Sequence, residues 1–158
     1  MHRATTFIAA VCCLLVACSG LKSYRSDYQK NLFITTDTDQ GWLSGVNAAL
    51  DIYEMQSECD VDYRGTVDLG HSPVEVGLPE GVPAYLVFRI ESSAFLSNTT
   101  TSIGYDVPLY PEYGQVYDVN LSYHNNDYNV EVQERPRGSV EGQILFINTV
   151  GQDCGSDT

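Results

Sequence analysis

Basic residues are scarce in this chain. Its 158 residues include eight Lys or Arg against 21 Asp or Glu, which gives a formal net charge of −13. Binding to nucleic acid requires clustered basic side chains that neutralise phosphates, so the composition argues against that function. The acidic residues are spread rather than blocked, which indicates a solvated acidic surface. The functional alternative is that this acidic surface binds a basic partner or divalent cations.

Long apolar runs are also missing. The uncharged stretch near the N-terminus covers residues 7–17, which is eleven residues. A membrane-spanning helix needs about 20 apolar residues, so this stretch is too short to span a bilayer.

Catalytic and metal-binding motifs are absent as well. The sequence contains no GxSxG, P-loop, GxGxxG or CxxC motif. Beyond residue 17 its histidines are His71 and His124, and neither has a His or Cys within four positions. Zinc sites need about four ligands, usually with a close-spaced pair, so we expect solvent-exposed turn histidines. The sequence thus predicts a non-enzymatic protein without a cofactor, although a Ser-His-Asp set assembled from distant residues stays open.

The first 17 residues have the layout of a signal peptide. A short positive start is followed by the apolar stretch and by small residues. The segment ends in Leu15-Val16-Ala17-Cys18, which resembles the lipobox of bacterial lipoproteins. The resemblance implies that residues 1–17 are removed and that Cys18 is acylated on sulfur and becomes the N-terminus. The alternative is an ordinary cleaved signal followed by a chance cysteine.

The same resemblance implies a location. Ser19 stands where the family's inner-membrane retention signal has Asp, which favours the outer membrane, facing the periplasm. Several acyl chains would satisfy the two-signal requirement for stable anchoring. The membrane would then be the first partner of the protein.

The mature chain would have 141 residues, a length that suits one domain. Without Arg3, seven basic residues face 21 acidic ones, and the net charge becomes −14. Residues 18–30 are polar and lack an apolar period, so we expect a lipidated tether that averages roughly 20 Å as a coil. The domain would cover residues 31–158.

Two further cysteines lie in this domain. Exported proteins reach an oxidising compartment, so the sequence predicts a structural disulfide between Cys59 and Cys154. It would close a loop of about 95 residues and stabilise the fold by about 4–5 kcal/mol in the chain-entropy description.

Apolar residues alternate with a period of two from residue 31 onward. The stretch 46–53 also fits a short helix because Ala and Leu favour one, but its alternation continues, so we predict a strand. The predicted strands cover residues 32–36, 46–53, 62–69, 74–78, 83–91, 101–109, 117–123, 128–132 and 144–150.

Short strands about ten residues apart, separated by turn signals, predict an all-β fold, an antiparallel Greek-key-type β-sandwich of seven to nine strands. In strand rhythm the domain resembles small transthyretin-like or immunoglobulin-like sandwiches of bacterial lipoproteins, a likeness that implies no activity. The order loop, Gly114, Tyr117 also resembles the tyrosine corner of Greek-key sandwiches. The alternative is that Tyr117 is an ordinary core aromatic.

Tyrosine is abundant, with eleven copies. Tyr suits interfaces because it combines a large ring with a polar tip. Tyr110 and Tyr113 flank Pro111 in a predicted loop, and Tyr53, Tyr85 and Tyr123 lie on strands where they could face outward. We take Tyr85, Tyr110 and Tyr113 as candidate binding residues, and an edge strand that accepts a partner strand is a further possibility. The alternative is that these rings complete a small core or its rim.

Two acidic clusters raise the question of calcium. Asp37, Asp39 and Gly41 resemble half of a calcium loop, but Gly41 stands where a third ligand is needed and Ala48 where a Glu is needed. Asp37 and Asp39 are therefore a weak candidate metal site, with a solvated turn as the alternative. A second cluster, which could share the ion if folded nearby, contains Glu58, Asp60 and Asp62.

From these observations we expect a lipid-anchored, non-catalytic envelope protein that acts through contact with another envelope protein, in assembly or secretion. The alternative is a periplasmic lipoprotein that binds a ligand or a divalent cation.

Overall fold

The computed structural model describes residues 21–38, 44–57, 60–70, 73–94, 100–124 and 127–146, without the side chains of residues 44–46, 57, 92–94, 100 and 101. Several predicted positions lie outside these ranges, namely Cys18, Cys59, Cys154, Asp39 and His71. The lipidated cysteine and the disulfide therefore stay predictions.

The described chain forms two β-sheets. One sheet has five strands in the order β4-β1-β7-β8-β9, and the other has four in the order β3-β2-β5-β6. The strands are β1 (Leu32–Thr38), β2 (Ser44–Ser57), β3 (Asp60–Asp68), β4 (Val74–Val76), β5 (Ala84–Ala94), β6 (Thr100–Leu109), β7 (Gln115–His124), β8 (Asp127–Pro136) and β9 (Gln143–Ile144). This architecture confirms the predicted all-β sandwich, and the stretch 46–53 is a strand, as predicted.

One pair of strands departs from the predicted antiparallel arrangement. β1 pairs with β7 in parallel, from Leu32 opposite Tyr117 to Thr38 opposite Tyr123. The other pairs are antiparallel, including β1 with β4. The parallel pair joins strands that are far apart in the chain. Hairpin signals in the sequence therefore do not predict it.

The core lies between the two sheets and follows the alternation along each strand. On β5 the inward residues Leu86, Phe88 and Ile90 are buried, while Tyr85 and Arg89 point to the outer face and are only partly covered. Burying each large apolar side chain stabilises the fold by about 1.5–3 kcal/mol. At the far edge of the four-stranded sheet, no described residue pairs with the outer side of β6.

Tyr117 forms the tyrosine corner that its spacing predicted, and it is also a buried core residue. Its hydroxyl accepts a hydrogen bond from the Glu112 N–H at 2.9 Å. The hydroxyl proton faces two acceptors, Glu134 Oε1 at 2.9 Å and the Tyr110 carbonyl at 3.2 Å. Burial raises the pKa of Tyr117, the Glu112 N–H lowers it, and the Glu134 carboxylate raises it further. The corner therefore fixes the loop between β6 and β7.

Residues 21–30, which we call the strap, differ from the coil that the sequence predicts. Ser23 pairs in parallel with Thr66 of β3, and the strap and β3 exchange backbone hydrogen bonds from the Tyr24 N–H to the Thr66 carbonyl at 2.9 Å and from the Thr66 N–H to the Lys22 carbonyl at 2.7 Å. The Tyr24 and Ser26 hydroxyls donate to the Gly77 carbonyl at 2.9 and 2.6 Å. The strap thus packs on the domain instead of standing away from it.

Asn31 joins the end of the strap to the body of the sandwich. Its buried side-chain amide donates to the Leu78 carbonyl at 3.0 Å and accepts from the Leu78 N–H at 2.8 Å. This pair of hydrogen bonds fixes the loop after β4 beside the start of β1.

Candidate functional site: a tyrosine-lined cleft

The strap and one end of the sandwich enclose a cleft of about 680 Å³. The end is the one at which β1, β5 and β7 begin and β6 finishes. Tyr24 and Tyr28 of the strap stand on one side, and Tyr53, Glu54 and Arg64 of β2 and β3 line another part. The rest of the lining is mixed. The sandwich contributes apolar residues, and the strap contributes polar and charged ones; they are Ile52, Leu78, Pro79, Val82, Pro83 and Ala84, and Lys22, Ser23, Arg25, Ser26 and Asp27.

A smaller cleft of about 390 Å³ continues the first one toward Tyr113. The two share Tyr28, Leu78, Pro79 and Val82 in their linings, so we treat them as one surface, the tyrosine cleft. Tyr28 is 56 % exposed and Tyr113 is 79 % exposed. Tyr110, in the same loop as Tyr113, is 56 % exposed.

The loop that carries Tyr110 and Tyr113 is held from two directions. The Tyr117 hydroxyl binds the Glu112 N–H from below, and the Gly81 N–H donates to the Pro111 carbonyl at 2.7 Å from the neighbouring loop. Because the backbone of this loop is already ordered, binding of a partner to these rings carries a smaller cost in conformational entropy.

Three tyrosines form a row across the outer face of the four-stranded sheet. The ring centroids of Tyr53 and Tyr63 are 5.3 Å apart, and those of Tyr53 and Tyr85 are 6.2 Å apart. Burial, followed by the hydrogen bond to Asp106 and its charge, raises the pKa of Tyr85 to about 12. A register shift between Ile52 and Tyr53 brings Tyr53 opposite Tyr63.

The candidate binding residues chosen from sequence therefore lie at the same end of the sandwich but in different settings. Tyr85 is partly buried in the row and sits opposite Pro108, two residues before Tyr110. Tyr110 and Tyr113 are exposed in their loop. The proposal that Tyr123 faces outward is wrong, because β7 turns it inward and it packs against the core.

Ion pairs border the cleft and the row. Arg64 lies 3.6 Å from Glu54 and 3.1 Å from Asp62. On the outer face, Arg89 holds the buried Asp51 carboxylate through two nitrogens, at 2.6 and 3.2 Å, and the Thr66 hydroxyl also donates to Asp51. These contacts hold β2, β3 and β5 together on the same outer face, next to the tyrosine row.

The described members of the two acidic clusters lie at different ends of the sandwich. Asp37 lies near the end of β1, about 20 Å along the strand from Asn31 at the usual rise per residue, whereas Asp62 pairs with Glu54 at the cleft end. Asp37 and Asp62 therefore cannot share one ion, and Asp39 and Glu58 lie outside the described residues. Asp37 contacts His124 Nε2 at 3.3 Å, and both side chains are substantially exposed. In the described part of the chain, no group of three or more His, Cys, Asp or Glu could hold a metal ion.

The sequence does not predict Tyr24, Tyr28 and Arg64 as cleft residues, because it predicts a tether where the strap packs against β3 and completes the cleft. The available signal was the pair Gly65 and Gly77, since glycine in or beside a strand often marks a close approach of another backbone. In the described ranges, no helix has the length and apolarity to cross a membrane. The chain matches no known family, curated protein or solved structure.

Proposed function

We propose that this chain is a lipid-anchored, non-catalytic protein of the bacterial cell envelope that acts through contact with another envelope protein. Cys18 carries the lipid, and the domain faces the periplasm, at the outer membrane. The observation that carries the proposal is the set of exposed tyrosines around the cleft, held on an ordered end of the sandwich.

Three exposed rings give this end the composition of an interface. Tyr28, Tyr110 and Tyr113 present large aromatic surfaces with polar tips, and tyrosine is enriched where proteins meet. Together they offer roughly 400 Å², about half of the surface that one partner contributes to a standard interface. The apolar residues Pro79 and Val82, which lie between Tyr28 and Tyr113 in the cleft, extend this area.

Capture of the partner tests the proposal. Envelopes solubilised in mild detergent are passed over the wild-type protein, a Tyr110→Ser/Tyr113→Ser double variant, and a Val140→Ser control at another exposed apolar residue. We expect wild type and control to retain the same protein, and the double variant to lose it. Recovery of the bait alone under several mild conditions, or equal retention by all three, contradicts the proposal.

A second candidate function is binding of a small molecule, the alternative that the cleft itself favours. Its volume of about 680 Å³ falls in the range of ligand pockets, and its lining combines apolar side chains with polar and charged ones such as Arg64, Glu54 and Asp27. A ligand in envelope extract freed of macromolecules should raise the unfolding midpoint of wild type. It should not raise that of Val82→Trp, in which the cleft is filled. An unchanged wild-type midpoint contradicts this candidate.

The anchor has its own test. Cys18→Ser removes the acylated sulfur, so we expect the chain to leave the membrane fraction. Unchanged membrane association of this variant contradicts the anchor.

A further inference from the structure

The strap is seated by residues from both sheets. Thr66 of β3 exchanges backbone hydrogen bonds with Lys22 and Tyr24, while the Gly77 carbonyl, just after β4, accepts from Tyr24 and Ser26. The Tyr63 hydroxyl adds a weaker contact to the Lys22 carbonyl at 3.4 Å. Lys22, the first residue held in this way, is therefore part of the domain.

Two glycines allow the strap to pack this closely on the domain, an arrangement that we call the seat of the strap. A Cβ atom at Gly65, which has φ +148°, would lie 2.6 Å from the Tyr24 backbone. A Cβ atom at Gly77 would lie less than 3.0 Å from the Tyr28 carbonyl. The two glycines lie on different elements, and both contact the strap backbone. The sandwich therefore holds the strap close at two separate places.

The seat shortens the connection between anchor and domain. Only four residue steps separate Cys18 from Lys22, and they span at most about 14 Å when fully extended. A free tether from residue 18 to residue 31 would reach about 45 Å. The headgroup layer on each side of a bilayer is about 5–8 Å deep, so a 14 Å connection leaves little room between lipid and domain.

We infer that the outer surface of the strap is the face of the domain that rests on the phospholipid headgroups. The inference depends on the proposed lipid anchor and adds the orientation of the domain to it. The tyrosine cleft, which the strap borders, then opens beside the bilayer.

The side chains of the strap fit this position. Leu21 is 69 % exposed, and Tyr28 is exposed on the same segment; leucine and tyrosine are both suited to the membrane interface. Lys22, Arg25 and Lys30 are exposed as well, and Asp27 is the only acid among the ten strap residues.

Charge supports the same orientation. The other residues of the mature chain carry four basic and 20 acidic side chains, so anionic headgroups repel the rest of the surface more than the strap. Basic residues near an anionic surface are attracted to it. Glu54 and Glu75, which line clefts beside the strap, offset part of this attraction. The short connection to the lipid is therefore the main determinant of the contact.

Photocrosslinking in intact envelopes tests the orientation. The full gene is expressed with benzoyl-phenylalanine at position 21, 28 or 129, in cells whose phospholipids carry radioactive phosphate. Asn129 is exposed on β8, near the opposite end of the sandwich, and serves as the matched control position. Acylation at Cys18 and membrane fractionation are measured on the same samples.

We expect labelled phospholipid adducts at positions 21 and 28 and only background at position 129. Gly77→Ala should unseat the strap and reduce the difference between positions 28 and 129. Gly104→Ala, where a Cβ would make only an ordinary contact with Val87, should leave it unchanged.

Two results overturn the inference in distinguishable ways. Equal adducts at all three positions, or none at positions 21 and 28, in a chain that is acylated and membrane-bound refute the orientation and leave the anchor intact. A chain that is neither acylated nor membrane-bound refutes the anchor and the orientation together.

Discussion

Removing one hydroxyl group should loosen the end of the molecule that carries the exposed tyrosines. In Tyr117→Phe the Glu112 N–H loses its acceptor at 2.9 Å and the Glu134 carboxylate loses a donor at 2.9 Å. A neutral hydrogen bond contributes about 1 kcal/mol and one to a charged group about 1.5–3 kcal/mol. Glu112 is exposed and Glu134 keeps a contact with Gln143, so water and this neighbour offset part of the loss. We expect the free energy of unfolding to fall by about 2 kcal/mol.

Equilibrium unfolding in urea, followed by circular dichroism, measures this change, with Tyr113→Phe as the control. The Tyr113 side chain is largely exposed in the same loop, so its variant should stay within about 0.5 kcal/mol of wild type. The thermal midpoint of Tyr117→Phe should drop by about 7 °C. Faster amide hydrogen exchange at Glu112 would locate the effect. A loss below about 0.5 kcal/mol, equal to that of the control, would refute the role given to the corner.

Three other perturbations have defined outcomes. Gly77→Ala should lower the unfolding free energy by about 1–3 kcal/mol, because the new methyl group meets the strap backbone. The control Gly104→Ala should not lower it, and equal losses in the two variants would refute the close packing of the strap at Gly77. The contribution of Tyr85 to stability should be full below about pH 10 and be lost as pH rises through about 12, because burial and Asp106 raise the pKa of Tyr85 above its ordinary value. Tyr85→Phe should weaken this alkaline loss in pH-dependent urea unfolding, and an identical profile would count against it. Mass spectrometry of the non-reduced mature chain should find Cys59 linked to Cys154, and two free thiols would contradict the predicted disulfide.

Local patterns in the sequence predicted the parts of the fold that depend on neighbouring residues. The alternation on β5 placed Leu86, Phe88 and Ile90 inward because the period of a strand is a local property. The tyrosine corner was also predictable, since its turn and Tyr117 lie close together in the chain.

Contacts between distant segments were not predictable in the same way. The parallel pairing of β1 with β7 and the seating of the strap depend on residues far apart in sequence. The composition of the strap suggested a coil because its bonds use backbone groups and hydroxyls instead of an apolar stripe. The separation of Asp37 from Asp62 follows from strand length and direction, which the acidic clusters themselves do not encode.

The side of β6 that pairs with no described residue has a consequence for aggregation. Among the described strands, β6 is a ten-residue edge strand, and the backbone groups of such an edge can pair with a similar chain. Pro108 cannot donate a hydrogen bond, and Asp106 adds a charge to the same strand, so both discourage a second copy from adding its own edge. Replacing Asp106 and Pro108 with β-branched apolar residues would make β6 prone to pair with other chains and to aggregate.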